Sequence, residues 1–548
     1  MGVIAKQSIR GTIVTYLGIA VGVVTTFFVL TRFLTPEEIG LTRVLIDAAT
    51  LFIGLAQLGT NTSIIRFYPY FSNPQTISNP QTTSNLQTIS NLQTISNPQT
   101  TSNPQTNSSS DPDHGFFFWA LAVPFVGFLI FALVYWACRV PLGAWFGDKS
   151  PLFVEYYYFV LPLAFFMLYQ TICESTCNVL MNIVVPRAVR ELVVRLGLLA
   201  IYLLYAFRLL SMDGMVIALC LNYAVAATIN MIYFFSLKPI CLKPDWNFIR
   251  ENKPLIRRYF TYTGFLLLSA LTTVLAPTIS SFFVTAKMGL DNTGIFAIAT
   301  YMAVMVSVPN RSVAAIASPQ LARAIKDRNY SECSHLISQV TRNMLLIGGF
   351  ILLAMWVNID LIFHILPNGA TFAQAKYVVL ILGLSQLVLG TFSICYTALN
   401  YSRFYAFSLF VSLALTISAL FLNNYLVPRY GMNGAALSNL LSYTLYIALT
   451  VALIVPLCRI HVVDRNWCLI LLLLVSLFAL NHLWTLYMPS LFSSLCPSLM
   501  SSPASSLYIW LDSLLRSVFI LGPGLFIAYK SALSPEINTQ IANTFNRQ

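Results

Sequence analysis

Three observations predict an all-α polytopic membrane protein of about fourteen transmembrane helices, built as two pseudo-symmetric six-helix lobes followed by two C-terminal helices. Of the 548 residues 57% are apolar and 9% charged, with a mean hydropathy of +0.73, which excludes an ordinary soluble protein. Apolar runs of about 20 residues, long enough to cross a hydrocarbon core, recur along the chain. Residues 25–40 and 280–294 repeat one pattern: a small hydroxyl residue, Phe27-Phe28-Val29 or Phe282-Phe283-Val284, a basic residue, then glycine after a polar turn. Each copy ends one apolar run and opens the next, so the repeating unit is a membrane hairpin of a duplicated bundle.

The runs lie at 11–34, 40–68, 116–138, 152–177, 189–209, 212–236, 259–285, 292–317, 343–365, 371–399, 404–427, 431–457, 466–488 and 507–529. The first lacks a small-residue cleavage site and exceeds a signal h-region in length, so it is expected to be retained. The fifth is short and is the least secure of the set. Basic residues sit in alternate loops. With Lys6 and Arg10 in the cytoplasm, so are Arg187, Arg190 and Arg195, the cluster from Lys238 to Arg258, and Arg323, Lys326 and Arg328; of the 31 Lys and Arg, 22 fall inside and 9 outside. The positive-inside rule then places both termini in the cytoplasm. The net charge of +12 does not point to nucleic acid, because no aromatic-and-basic soluble module accompanies it.

Between the second and third runs stand six hexapeptides starting at Ser72, Ser78, Ser84, Ser90, Ser96 and Ser102, of the form Ser-Asn-(Pro/Leu)-Gln-Thr-X. Almost uncharged and without aromatics, the segment 72–110 is expected to be a disordered cytoplasmic loop, and a stacked β-solenoid is a minor alternative. The insertion also tests the duplication. Gly40 pairs with Gly294 at an offset of 254, whereas Gly214, Ala218 and Tyr223 pair with Gly434, Ser438 and Tyr443 at an offset of 220. The difference of 34 is close to the 36 residues of the hexapeptide tract, so the halves are nearly collinear without it. The expected domains are an N-terminal six-helix lobe over 1–237, an amphipathic cytoplasmic linker over 238–258, a C-terminal six-helix lobe over 259–457, and two more helices with a tail over 458–548.

Cysteine and carboxylate chemistry adds little. Ten cysteines are scattered, and Cys173 and Cys177, one helical turn apart, lack the further ligands of a zinc site. Asp111-Pro112-Asp113 with His114 ends the hexapeptide loop, and Asp360 with His364 lacks a third group. No metal site and no cofactor are predicted, and a polytopic glycosyltransferase or polymerase, which needs carboxylates or His grouped at an interface, is the lesser alternative.

Two short motifs narrow the class. Arg66-Phe67-Tyr68-Pro69, and the segment 427–436 reading Val-Pro-Arg-Tyr-Gly-Met-Asn-Gly-Ala-Ala, resemble the "RY-P" and "IP-YG--GAA" signatures of bacterial polysaccharide (O-antigen/exopolysaccharide) flippases of the MOP (MATE-like) superfamily. The opening Gln7-Ser-Ile-Arg-Gly-Thr12 and Leu34-Thr-Pro-Glu-Glu-Ile-Gly40 are similar to that family's first hairpin. The resemblance covers essentially the whole chain except 72–110. It implies a two-lobed, fourteen-helix inner-membrane protein, not an enzyme, that moves a lipid-linked oligosaccharide, typically undecaprenyl-diphosphate-linked, from the cytoplasmic to the periplasmic leaflet. Its partners would be that substrate, membrane lipids and polysaccharide polymerase or other biosynthetic enzymes. The chain departs from the family at the start of the seventh span, where many members have proline and this one has Thr263-Gly264, with Pro277 deeper.

A glycan headgroup needs a polar route between the lobes, with cations for the diphosphate, so intramembrane charges are the substrate-binding candidates. Arg43 and Asp47 stand one turn apart, either as a self-satisfied pair or as cleft residues. Arg66 is an interfacial anchor or a diphosphate ligand. Glu174 is the one carboxylate deep in the fourth span, Glu155 standing at its start, and is free to couple protons or to pair with Arg187, Arg190 or Arg195. Arg187, Glu191 and Arg195 form a stripe at four-residue steps. Arg311 corresponds by the repeat to about Gln57, and these two rank first as matched polar positions of the two halves. Pro162, Pro277 and Pro309 are hinge candidates, with Gly18 and Gly22 loosening the first span. A MATE-type cation or drug antiporter is the alternative, with twelve spans and acidic lobe cavities as its marks. No coupling ion is identified by sequence.

Overall fold

A computed structural model of the protein describes residues 3–61, 63–64, 68, 71, 115–180, 182, 184–237, 244, 246–402, 404, 406–458, 461–495, 506–531 and 533. Among these residues all regular structure is helical. The principal helices are α1 (Val3–Val24), α2 (Pro36–Ala56), α3 (Phe116–Ala137), α4 (Val160–Val179), α5 (Val194–Ala206), α6 (Met212–Leu237), α7 (Lys253–Met288), α8 (Leu290–Val304), α9 (Val308–Lys326), α10 (Tyr330–Val357), α11 (Lys376–Tyr401), α12 (Ala406–Cys458), α13 (Arg465–Leu495) and α14 (Ser506–Arg516).

Eleven stretches of the described chain are long and apolar enough to cross a membrane. That at Ala406–Pro456 breaks at Gly431, whose φ of 58° and ψ of −135° come three residues after Pro428, so it holds two of the expected spans. The charged fifth span is helical from Val184 through Ala206, and the seventh lies within the 36 residues of α7. These complete the fourteen. The hexapeptide loop lies outside the described residues.

The chain divides into two compact units, Met1–Gly294 and Ile295–Gln548. The segment 238–258 belongs to the first unit and contributes the short helix Trp246–Glu251; α7 comes next in the same unit. In a bilayer, lipid tails are as apolar as leucine, so helices associate through close packing and polar pairing rather than by hiding hydrocarbon. Accordingly α3, apolar all round, leaves Leu133 and Trp136 exposed, and only 22% of its span is buried. By contrast α2 is 72% buried and forms the axis of the first unit. Its start is fixed by a capping box: the Thr35 hydroxyl accepts from the Glu38 N–H, while the Thr35 N–H donates to the Glu38 carboxylate at 2.8 Å. Leu41, Val44, Leu45, Ala49 and Phe52 then pack α2 against α3, α4 and α7.

A close approach of main chain to main chain joins the two copies of the repeated hairpin. A Cβ at Gly40 would sit 2.0 Å from the Leu290 carbonyl oxygen, and a Cβ at Gly294 would sit 1.9 Å from that of Pro36. The contact is reciprocal, as across a two-fold axis. The turn before α8 is tied down as well: Ser150 donates to the Thr285 carbonyl at 2.8 Å, and the Thr285 and Thr293 hydroxyls lie 2.9 Å apart.

Among the described residues three π-helical turns interrupt the helices, at Thr25–Leu30, Val189–Val193 and Ser517–Leu521. The first packs on α5 and the second on α1, so each faces the other's helix.

In the second unit α10 is the buried axis, 67% covered. The two C-terminal helices pack on it through Ile470, Leu473, Leu474, Leu477 and Ile520 against Leu345, Leu346 and Leu353. Arg342 of α10 meets Asp464 at 2.5 Å, and the same carboxylate caps α13 by accepting the Trp467 N–H at 2.7 Å.

Gly40→Ala and Gly294→Ala are each expected to cost about 1–3 kcal/mol through backbone overpacking. Thermal unfolding of the detergent-solubilised protein measures this. Gly143→Ala, whose nearest neighbour would be Val154 at 3.9 Å, is the control expected to be silent.

Candidate functional site

Four charged residues of the first unit form a connected array. Glu174, buried on α4, accepts from Arg190 at 2.8 Å. Arg190 also lies 3.4 Å from Glu191, and Arg195 pairs with Glu191 at 2.9 Å. Arg195 then donates to the Gly18 carbonyl of α1 at 2.5 Å. Two carboxylates and two guanidiniums thus alternate across three helical segments.

Local sequence explains the geometry. Glu191 and Arg195 share a face at a spacing of four residues, with the glutamate N-terminal, the favourable order. Gly18 and Gly22, also four apart, leave α1 without side chains where Arg195 crosses: a Cβ at Gly22 would lie 2.9 Å from its guanidinium, and one at Gly18 would lie 2.4 Å from the Glu191 carbonyl. These glycines are therefore a seat for Arg195 and Glu191. The π turn Val189–Val193 carries both Arg190 and Glu191, and such turns frequently mark functional positions.

Beside this array lies a neutral one. The Asn61 amide donates to the Gln57 side chain at 2.9 Å, and Ser175, next to Glu174, donates to Asn61 at 3.0 Å. Gln57 is the C-cap of α2. Asn230 of α6 is fully buried with neither side-chain polar atom hydrogen-bonded, and the carbonyl oxygen of the Asn178 side chain is likewise unpartnered. Buried amides of this kind normally acquire water or a ligand.

The sequence candidates divide accordingly. Gln57 and Glu174 reach neighbouring parts of the array, and of the three arginines open to Glu174 it takes Arg190. Arg43 and Asp47 pair with each other at 2.8 Å, on another part of α2. Arg66 lies outside the described residues. Arg311 falls in α9, and its side chain is outside the described set; its helix-mate Asn310 accepts from Ser393 at 3.0 Å. Gln57 and Arg311 belong to different units. Pro162 occupies the first turn of α4, where a missing N–H leaves no helical bond unmade. Pro309 opens α9 after a 3₁₀ turn at Met305–Ser307, and Pro277 lies within α7. Arg32 and Lys287, the basic residues of the two hairpin copies, are both exposed. Asp360 is held by Lys376 at 2.5 Å rather than by His364.

Sequence reasoning missed Asn61, Ser175, Arg342–Asp464 and the buried pair Asp512–Arg516, whose carboxylate also accepts from Trp484 at 2.9 Å. Only the last had a signal, its four-residue spacing inside an apolar run. Among the described residues no group of His, Cys, Asp and Glu is arranged to hold a metal ion.

Arg195→Gln is expected to lower the unfolding temperature more than Arg190→Gln. Arg195 is less exposed and holds two partners on two helices, whereas the Arg190 side chain is 49% exposed and solvent screens its pairs. A double-mutant cycle on Glu174 and Arg190 should return a coupling of order 1 kcal/mol.

No family model matches the sequence, and no curated protein matches it. Solved structures do match the fold. A lipid II flippase MurJ in an inward closed conformation is similar with a TM-score of 0.62 at 11% identity, covering 95% of this chain and 99% of that one. The inward-facing conformation of a multidrug resistance MATE family transporter of the MOP superfamily gives 0.56 at 12% identity, covering 79% and 93%. A MOP superfamily transporter from Pyrococcus furiosus gives 0.51 at 12% identity, covering 84% and 97%. This multi-pass chain therefore has, over nearly its whole length, the fold of MOP superfamily transporters.

Proposed function

We propose that this protein is a flippase that carries a lipid-linked oligosaccharide, with an undecaprenyl-diphosphate anchor, from the cytoplasmic to the periplasmic leaflet by alternating access. In this reading it resides in the bacterial inner membrane with both termini in the cytoplasm, and works beside the polymerase and other enzymes of polysaccharide assembly. The observation that supports it best is the array from Glu174 to Arg195. Charges are expensive at membrane depth and are kept where a polar substrate passes. Arg190 is tethered to both glutamates yet half exposed, so part of its planar fork remains for a phosphate oxygen. Gln57, Asn61 and Ser175 supply the neutral hydrogen-bonding groups that sugar hydroxyls require. The MurJ structure also covers more of the chain than the MATE structures do.

A cation antiporter is the second reading, favoured by the burial of the two carboxylates Glu174 and Glu191. Protected-sugar labelling of spheroplasts separates the two. A deletion strain should hold intact lipid-linked glycan in the inner leaflet, and unchanged outward exposure would sink the flippase. Arg190→Gln and Arg311→Ala should each reduce outward labelling at constant membrane abundance, by about tenfold if one charge-assisted phosphate contact is lost. If abundance falls in parallel, the residue is structural. Normal labelling with loss of dye or cation efflux would establish the antiporter.

A further inference from the structure

A shallow apolar cavity opens in the first unit, lined among others by Phe71, Phe116, Trp119, Trp246, Tyr259 and Phe260. Its residues come from the end of the second span, the start of α3, the helix Trp246–Glu251 and the start of α7, all at the end of the bundle that the charge distribution places in the cytoplasmic leaflet. Every lining side chain is apolar or aromatic. Phe71 and Phe248 pack at 5.2 Å, and Trp119 meets Trp246 edge-on at 5.7 Å. Trp246 and Phe260 are nonetheless 63% and 53% exposed. Aromatic rings at this depth form the interfacial belt of membrane proteins.

One feature distinguishes the cavity from ordinary belt packing. Arg250, one turn after Trp246, and Lys253 and Arg257, on the turns of α7 that carry Ile256, are exposed, with Glu251 the single carboxylate among them. At helical spacing, Lys253 and Arg257 flank the face of α7 that presents Ile256, Tyr259 and Phe260 to the cavity.

We infer that this cavity is a docking site for one acyl chain of an anionic phospholipid of the inner leaflet. The chain lies between the rings, and the phosphate rests on Arg250, Lys253 and Arg257. The charge complementarity selects the occupant: a zwitterionic lipid offers the same tail and a weaker fit to three cations. The site is separate from the Glu174–Arg195 array, so its failure and the failure of the flippase reading are distinguishable.

Native mass spectrometry of the delipidated full-length protein, titrated with phosphatidylglycerol or phosphatidylcholine, tests it. Phosphatidylglycerol should bind first, to one site, and each of Arg250→Gln, Lys253→Gln and Arg257→Gln should weaken it about fivefold. Trp119→Ala, which removes one ring of the apolar lining, should weaken both lipids. Equal binding of the two lipids, or glutamine variants indistinguishable from the parent, would overturn the proposal. So would displacement of phosphatidylglycerol by undecaprenyl phosphate with unaltered affinity in the glutamine variants, which would assign the cavity to the substrate tail. Val123→Trp, filling the cavity from α3, provides a second route: lipid binding should be lost while flipping persists.

Discussion

Two backbones touch where Gly40 meets Leu290 and Gly294 meets Pro36, and no side chain fits between them. In lipid this contact is worth more than an apolar interface of equal area, because association depends on closeness rather than on hiding hydrocarbon. Around it the first unit becomes legible. The Thr35 cap sets where α2 begins, Ser150 and Thr285 hold the turn before α8, and α2 is left as the axis against which α3, α4 and α7 pack. Any side chain at Gly40 or Gly294 pushes directly on main chain, which cannot rotate away.

The buried charges obey a second rule, which is local compensation. Arg43–Asp47, Glu191–Arg195 and Asp512–Arg516 are each closed within one helix at a spacing of four residues. Arg190–Glu174 and Arg342–Asp464 instead reach between elements. Pairs within a helix can enter the membrane already neutralised, whereas pairs between elements form only as the bundle assembles. Of these pairs among the described residues, one ties α4 to the charged fifth span and the other ties the C-terminal helices to α10.

Much of the fold could be read from residues alone. Hydropathy located the spans because membrane helices need length and little else, and the segment around Pro428 and Gly431 marked the break in α12. The fifth span read poorly because hydropathy scores Arg187, Arg190, Glu191 and Arg195 as free charges, whereas three of them neutralise one another inside the bundle. The site was half legible. Glu174 was conspicuous as a lone carboxylate, but its choice of Arg190 depends on how α4 faces a π turn. Asn61 and Ser175 carry no periodic signal, and Arg342 and Asp464 stand 122 residues apart, beyond any local pattern. The cavity beside Trp119 is assembled from four separate segments and has no linear signature.

The π turn at Thr25–Leu30 bears on how the two halves have diverged. From Phe27 to Gly40 there are thirteen steps along the chain, and from Phe282 to Gly294 only twelve. Thr31 and Thr285 are both fully buried, and each donates its hydroxyl to the carbonyl four residues earlier, so they mark equivalent points. From there to the glycines the spacing is identical, which puts the extra residue upstream, within the π turn. A widened turn is how a helix holds one added residue without rotating the segment beyond it. The first half thus carries an inserted residue that its twin lacks, stored where the helix meets α5 and hidden from the contact at Gly40.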